Sequence, residues 1–114
     1  MIDRIDTMCL TVSDVEASCS WYEQVLGFEV AFKDEGYRVL SIGKDSVPLT
    51  IEEGKVSSNT SSYPIFFSQD IKKTYNNNLK GKGVSISELH IDGVNHFFDF
   101  YDPDQNRLQV CFFE

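Results

Sequence analysis

Hydrophobic and polar residues alternate along Arg4–Val12, and this period of two predicts a first β-strand. Its two faces differ in character: the apolar face carries Met8, Leu10 and Val12, and the other carries Thr7, Cys9 and Thr11. The next residues, Ser13-Asp14-Val15-Glu16, have the Ser-x-x-Glu form of a capping box. A helix is therefore predicted from Val15, with apolar residues at helical spacing as far as Leu26 and an end at Gly27.

The remaining pattern divides the chain into two similar halves. Three more strands complete the first half: Phe28–Lys33, Tyr37–Ile42 and Val47–Glu52. Residues 54–62 are polar and rich in Ser and Asn, which is typical of a linker. The second half predicts a strand, a helix and three strands: Tyr63–Ser68, Asp70–Leu79, Val84–Leu89, Val94–Tyr101 and Arg107–Phe113. Both halves follow the order β-α-β-β-β, with module one at about residues 1–53 and module two at about 63–114.

Equivalent residues recur at a nearly constant separation in the two halves. Asp14 and Gly27 are 13 residues apart, and so are Asp70 and Gly83. Leu10 corresponds to Phe66 at an offset of 56, and at an offset of 59 the segment Leu49-Thr50-Ile51 corresponds to Leu108-Gln109-Val110. Repetition on this scale indicates two fused copies of one supersecondary unit. With 114 residues, the chain is expected to form one α+β domain.

Composition and charge exclude several classes of partner. The formal net charge of −8 argues against non-specific binding to nucleic acid or to an anionic membrane. The chain has neither an apolar run of membrane-spanning length nor the hydrophobic region of a signal peptide. Its three cysteines lack the spacing of a disulfide scaffold. Reduced thiols and a cytoplasmic location are therefore expected.

The oxygen-rich segment Asp102-Pro103-Asp104-Gln105-Asn106 resembles the start of a calcium loop. Such a loop needs glycine at its sixth position and glutamate at its twelfth, but Arg107 and Phe113 stand there. Asp-Pro is typical of a type I turn, and apolar runs lie on both sides. A hairpin turn is therefore predicted rather than a calcium site.

Two segments resemble the vicinal oxygen chelate superfamily, which includes glyoxalase I, bleomycin-resistance proteins, fosfomycin-modifying enzymes and extradiol dioxygenases. The Trp21–Phe28 segment, WYEQVLGF, matches the end of the superfamily's first helix. The sequence FFDFYDPDQNRLQV resembles its closing motif. The resemblance implies a fold of two βαβββ modules whose curled mixed sheets surround a concave cavity, with the helices outside.

The resemblance also implies metal ligands on four strands, and this sequence departs from them. The position of a family histidine is occupied by Thr7, and its counterpart in the second module is Tyr63. The position of a family glutamate is occupied by Gln109, whose counterpart is Thr50. These neutral side chains are weak ligands for a catalytic divalent ion. We therefore expect no metal and no other cofactor.

A cavity without a metal has the composition of a small-molecule pocket, with aromatic walls and a few hydroxyl and amide groups. Strand alternation suggests which side chains line it. The candidate ligand-binding residues are Thr7, Cys9, Thr50, Tyr63, Phe67, His96, Phe98, Gln109, Cys111 and Phe113. The predicted function is binding of a small organic molecule by a homodimer, with no catalytic residue assigned. An acidic protein suits a basic ligand.

Alternative interpretations remain open at this point. One alternative is a metal-dependent lyase, isomerase or dioxygenase whose metal ligands are residues other than these four. Another is a metal-free enzyme that uses His96 or Tyr63 as an acid or base. His90, His96 and Asp99 suggest a metal cluster, although a surface hairpin pair is the simpler interpretation. Cys9 and Cys111 are expected to fill space rather than to act as nucleophiles.

Overall fold

The computed structural model describes residues 1–57 and 61–114. The chain forms two compact units, a first unit at Met1–Ser58 and a second unit at Asn59–Glu114. The predicted linker at 54–62 includes residues 58–60, which lie outside the described residues; the rest of it contains no helix or strand. No helix within the described part of the chain is long and apolar enough to cross a membrane.

The first unit contains one helix and a four-stranded mixed sheet. Its elements are β1 (Met8–Val12), α1 (Val15–Leu26), β2 (Glu29–Asp34), β3 (Tyr37–Ser41) and β4 (Leu49–Glu53). The strand order is β1-β4-β3-β2, with β1 parallel to β4 and the other pairs antiparallel. Alternate residues are buried under α1, where Val12, Leu40 and Ile51 are completely inaccessible. This apolar face is the one that the period of two predicts.

Prolines set the starts of the two parallel strand pairs, which are shorter than predicted. Pro48 accepts a hydrogen bond from the backbone of Met8 at 3.2 Å but has no N–H to extend the ladder, so β1 begins at Met8 rather than at Arg4. In the same way, Pro64 accepts from the backbone of Gln109 at 3.1 Å, and the next strand begins at Ile65.

The cap of α1 differs from the predicted capping box. The helix begins after Asp14, whose carboxylate accepts from the backbone of Ala17 at 3.1 Å. A second carboxylate, from Glu53, accepts from the backbone of Val15 at 3.0 Å. Both carboxylates suit the positive end of the helix dipole. At the other end, Gly27 adopts the predicted left-handed conformation with φ of 71°.

The second unit contains a five-stranded sheet and one helical segment. Its strands are β5 (Ile65–Phe67), β6 (Ser85–Ile86), β7 (His90–Asp92), β8 (Asn95–Tyr101) and β9 (Arg107–Phe112). The order is β5-β9-β8-β6, and β7 also pairs with β8. The predicted strand at Val84–Leu89 is therefore wrong in extent, because the chain leaves the ladder at Ser87 and a further strand, β7, follows.

The second helix also differs from the prediction of a single α-helix over Asp70–Leu79. A short α2 (Ile71–Lys73), capped by Asp70, continues as a π-helical segment at Thr74–Leu79. The backbone of Lys80 accordingly bonds the carbonyl of Tyr75, five residues earlier, at 2.8 Å. Ile71 and Leu79 are buried, so the sparse apolar stripe still packs on the sheet.

The two units repeat the same strand register. In the first unit Cys9 lies opposite Thr50, and in the second unit Ile65 lies opposite Gln109. These are the pairs that correspond at the sequence offsets of 56 and 59. The predicted α+β class with two mixed sheets is confirmed.

Candidate functional site

In the first unit, two candidate residues share a hydrogen bond on the sheet face opposite α1. The hydroxyl oxygens of Thr7 and Thr50 lie 2.7 Å apart. Thr7 also donates to the carbonyl of Pro48 at 3.0 Å, so its single proton is used there. Thr50 must then donate to Thr7. Cys9, opposite Thr50 on this face, is exposed.

The thiols of Cys9 in the first unit and of Cys111 in the second unit are protonated at neutral pH. Although Cys9 is exposed, partial desolvation raises the pKa of its thiol, and the negative charge of Glu52 raises that pKa further. Burial likewise raises the pKa of Cys111 in the second unit. A nucleophilic cysteine needs the opposite shift, so these pKa directions do not favour a nucleophilic role for either thiol.

In the second unit, the pairing of β5, β8 and β9 defines one sheet face. Gln109 lies between Ile65 on β5 and Asp99 on β8. One step along β9, Cys111 lies between Phe67 and Phe97. Phe113 continues this face beyond the end of β9, with its ring 5.2 Å from that of Phe67 in an edge-to-face contact. We call these residues, with Tyr63, Tyr101 and Arg107, the Gln109 face.

A network of polar contacts occupies the centre of the Gln109 face. Gln109 Nε2 donates to Asp99 Oδ1 at 2.9 Å, and Arg107 Nη2 donates to Asp99 Oδ2 at 3.0 Å. The Arg107 guanidinium also lies over the ring of Tyr63, 3.9 Å from its centre. Asp99 therefore binds an amide on one oxygen and a cation on the other.

The backbone of Asp99 is fixed by Ser87, where the predicted strand is interrupted. The N–H of Asp99 donates to Ser87 Oγ at 2.9 Å, and its carbonyl accepts from the N–H of Ser87 at 2.8 Å. The Ser87 carbonyl in turn accepts from the hydroxyl of Tyr75 at 2.9 Å. These bonds connect the helical segment to the strand that carries Asp99.

Two candidate residues lie on the other side of this sheet, which corrects their predicted placement. Phe98 is completely buried and packs edge-to-face against Tyr75, with ring centres 5.0 Å apart. His96 lies opposite Phe112, on the same side as Phe98. The physical reason is alternation, since in β8 it is Phe97, Asp99 and Tyr101 that lie opposite Cys111, Gln109 and Arg107.

The suggested histidine cluster does not form. His90 lies opposite Phe97 and stacks on its ring at 4.9 Å, whereas His96 lies opposite Ile91 and so on the other face. The described residues contain no group of three or more His, Cys, Asp or Glu side chains placed to hold a metal ion.

The oxygen-rich segment that begins at Asp102 forms the predicted turn. The Asp102 carboxylate accepts hydrogen bonds from the backbone N–H groups of Asp104 and Asn106 at 2.9 Å each, and these bonds stabilise the hairpin.

The four positions where the resemblance implies metal ligands do not suit a divalent cation. Thr7 and Thr50 are hydrogen-bonded to each other, and the amide nitrogen of Gln109 is directed at Asp99. The ring of Tyr63 lies under the positive charge of Arg107, which opposes the approach of a cation. None of the four carries the charge that offsets desolvation of an ion.

Sequence reasoning missed Asp99 and Arg107 as residues of this face. As candidate site residues, Asp99 entered only through a suggested histidine cluster, and Arg107, the first residue of a predicted strand, was not considered. The Tyr101–Arg107 pair at the hairpin sets the register, so Asp99 must lie opposite Gln109. Working out that register would have found both residues.

A surface cleft lies elsewhere, and none of the candidate residues borders it. It is in the first unit, has a volume of about 740 Å³, and is bordered mainly by charged residues: Asp14, Glu16, Lys33, Asp34, Glu35, Arg38 and Glu53. Arg38 is buried there and donates to the backbone carbonyls of Asp34 and Tyr37. Such a lining differs from the mostly apolar lining of a ligand pocket.

Comparisons with known proteins agree with this fold. The sequence is 30% identical over 122 residues to the virulence protein STM3117 of Salmonella typhimurium strain LT2, covering 96% of this chain and 84% of that protein. The structure is similar to the fosfomycin resistance protein FosX of Listeria monocytogenes, with a TM-score of 0.83, 18% identity, and 100% and 96% of the two chains covered. An integron cassette protein from the mobile metagenome of the Halifax Harbour sewage outfall gives a TM-score of 0.79 at 20% identity, with 96% and 98% covered.

The family model for the Glyoxalase/Bleomycin resistance protein/Dioxygenase superfamily matches residues 4–110, which is nearly the whole chain. The β-α-β-β-β order of the first unit and the repeated register of the second are consistent with that match. The chain therefore belongs to the glyoxalase/bleomycin resistance protein/dioxygenase superfamily.

Proposed function

We propose that this chain binds a small organic molecule without a divalent metal, and that the Gln109 face of the second unit takes part in binding. The observation that carries the proposal is the bond from Gln109 Nε2 to Asp99 Oδ1 at 2.9 Å. It places an amide, directed at a carboxylate, where the resemblance implies a metal-binding glutamate. The first unit contributes Thr7, Cys9 and Thr50 as further candidates on its own face.

The exposed aromatic area of the Gln109 face supports a ligand with apolar surface. Phe67 and Phe113 are 48% and 53% exposed although they are large hydrophobic residues in contact with each other. Ile65, on the same face, is 54% exposed. Exposed apolar clusters of this kind commonly mark sites of interaction. The polar network beside them supplies directional hydrogen bonds.

A metal-dependent lyase, isomerase or dioxygenase is the alternative, and it needs at least three good ligands at one site. The chemistry of Thr7, Thr50, Tyr63 and Gln109 does not favour it. A metal-free enzyme that uses Tyr63 is a further alternative, although the Arg107 guanidinium stacked over the Tyr63 ring restricts the movement of that ring. Turnover that is lost in Tyr63→Phe would support that alternative over simple binding.

Substitution of the exposed aromatic residues tests the proposal. Compounds from a small-molecule library that perturb amide resonances of β5 and β9 are carried into titrations with variants. Phe67→Ala and Phe113→Ala should each weaken binding about ten-fold, because the ligand loses apolar contact area. Val47→Ala is the control, since Val47 is 44% exposed and lies in the first unit outside its strands. Equal effects of all three substitutions would contradict the proposal.

We also propose a homodimer and a cytoplasmic location. The outer strand β2 exposes Val30 and Phe32, and outer strands with exposed apolar residues favour pairing with another copy. Cys9, Cys19 and Cys111 are all free thiols, which suits a reducing compartment. Sedimentation equilibrium at micromolar concentration should give twice the chain mass, and a monomer would contradict the dimer.

A further inference from the structure

We infer that Asp99 is a positioning residue that fixes the orientation of the Gln109 side-chain amide. The carbonyl oxygen Gln109 Oε1 is then available to a ligand as a hydrogen-bond acceptor, and the Gln109 face selects a neutral aromatic ligand with an N–H donor. This inference rests on the proposed function, because it concerns which molecules the same face accepts.

The orientation of the Gln109 amide follows from the charge of its partner. Arg107 donates to Asp99 Oδ2 at 3.0 Å, and this ion pair goes with an ionised carboxylate. An ionised carboxylate only accepts hydrogen bonds, so the group that Gln109 directs at Oδ1 must be Nε2. The carbonyl oxygen Oε1 is then directed elsewhere, and no side chain or backbone N–H in the described part of the protein donates to it.

Asp99 is held firmly enough to impose this orientation. Ser87 bonds both its N–H and its carbonyl, at 2.9 and 2.8 Å. The side chain of Asp99 is 19% exposed, less than the 43% of Arg107. A carboxylate with a fixed backbone and both oxygens engaged has little freedom to turn away, so Gln109 Oε1 is a preorganised acceptor.

The surroundings of Gln109 Oε1 define the chemical class of the ligand. Phe67 lies opposite Cys111, one same-face step along β9 from Gln109, or about 7 Å. A bicyclic aromatic molecule therefore reaches Oε1 with an edge N–H while its ring rests on Phe67. Asp99 and Arg107 neutralise each other beside this position. The ligand consequently needs no charge, which differs from the basic ligand expected from the net charge.

Indole and benzofuran provide a matched pair of probes, because they share a shape and differ in the N–H donor. Each is titrated into ¹⁵N-labelled protein, and affinity is read from the amide resonances of β5 and β9. We expect indole to bind about five-fold more tightly than benzofuran to the wild type, the usual value of one hydrogen bond. In Asp99→Asn the partner of Gln109 is an amide that accepts either orientation, so this ratio should fall towards one.

Asp92→Asn is the control, since it makes the same charge change at an exposed residue of β7 and should keep the ratio. If Asp99→Asn does not fold, Ser87→Ala replaces it: losing one backbone anchor of Asp99 must also lower the ratio. A ratio near one in the wild type, or an unchanged ratio in these variants, overturns the inference and leaves the proposed function standing. If neither indole nor benzofuran shifts the amide resonances of β5 and β9, the result counts against both the inference and the proposed function.

Discussion

Thr7 Oγ1 and Thr50 Oγ1 lie 2.7 Å apart and form a hydrogen bond at the two positions of the first unit where the resemblance implies metal ligands. Each hydroxyl is thereby engaged by another protein group. The same holds in the second unit, where the Gln109 amide is bonded to Asp99. In both units, side chains of this chain form a hydrogen bond with each other at positions where the superfamily pattern implies bonds to a metal ion.

The threonine pair should contribute unequally to stability. Thr7→Val removes both its bond to Pro48 and the acceptor for Thr50, and should lower the free energy of unfolding by about 2 kcal/mol. Thr50→Val removes one bond and should lower it by about 1 kcal/mol. Urea unfolding measures both values, with Ser46→Ala at an exposed site as control. Equal losses would contradict the donor assignment.

Gln109→Glu should destabilise the second unit in a pH-dependent way. Two carboxylates then face each other across β8 and β9, and the lost donor and added repulsion should lower the free energy of unfolding by about 1–2 kcal/mol at pH 7. Repulsion raises the folded-state pKa of one carboxylate, so stability returns as the pH falls below that pKa. Urea unfolding from pH 4 to 8 measures this, with Gln24→Glu on exposed α1 as control; a loss independent of pH would count against it.

The thiols should react slowly at neutral pH. Partial desolvation and the negative charge of Glu52 raise the pKa of Cys9, and desolvation raises the pKa of Cys111. Alkylation by iodoacetamide at pH 8 should therefore be slower than that of glutathione and should accelerate as the pH rises through the raised values. The protonated thiols contribute to the stability of the fold at pH values below their pKa in the unfolded chain. This contribution is lost as the pH rises through their higher pKa in the folded protein. Alkylation faster than that of glutathione at pH 8 would support a nucleophilic cysteine instead.

The cap of α1 should depend on Asp14. Asp14→Ala removes the acceptor for the backbone of Ala17 and should lower the free energy of unfolding by about 1 kcal/mol. Asp3→Ala, in the exposed N-terminal segment, is the control for the loss of a negative charge. Thermal unfolding compares the two variants, and an equal midpoint for both would show that Asp14 is not the effective cap.

The sequence pattern was sufficient for the architecture because alternation and glycine positions are local signals. Met8, Leu10 and Val12 mark the apolar face of β1, and Gly27 marks the end of α1. Strand limits were less accurate, because the missing N–H groups of Pro48 and Pro64 set where the parallel ladders start, and no change in hydrophobicity marks these positions.

The candidate site was predicted less well, since it depends on pairing between strands. The face of Phe98 follows from the register of the β8–β9 hairpin, which one residue of error reverses. The π-helical segment at Thr74–Leu79 has no local signal in a polar sequence. The interruption at Ser87, which fixes Asp99, depends on tertiary hydrogen bonds to Asp99 and Tyr75.

The central claim, ligand binding without a divalent metal, is tested most directly by a thermal-shift screen of small organic compounds run in parallel with EDTA and with Mn²⁺, Ni²⁺ or Zn²⁺. A ligand that binds the folded state raises the unfolding midpoint by mass action. The account predicts that compounds raise the midpoint equally with EDTA present, and that the metals alone leave it unchanged. Stabilisation by a metal alone, or by compounds only when a metal is present, would contradict it.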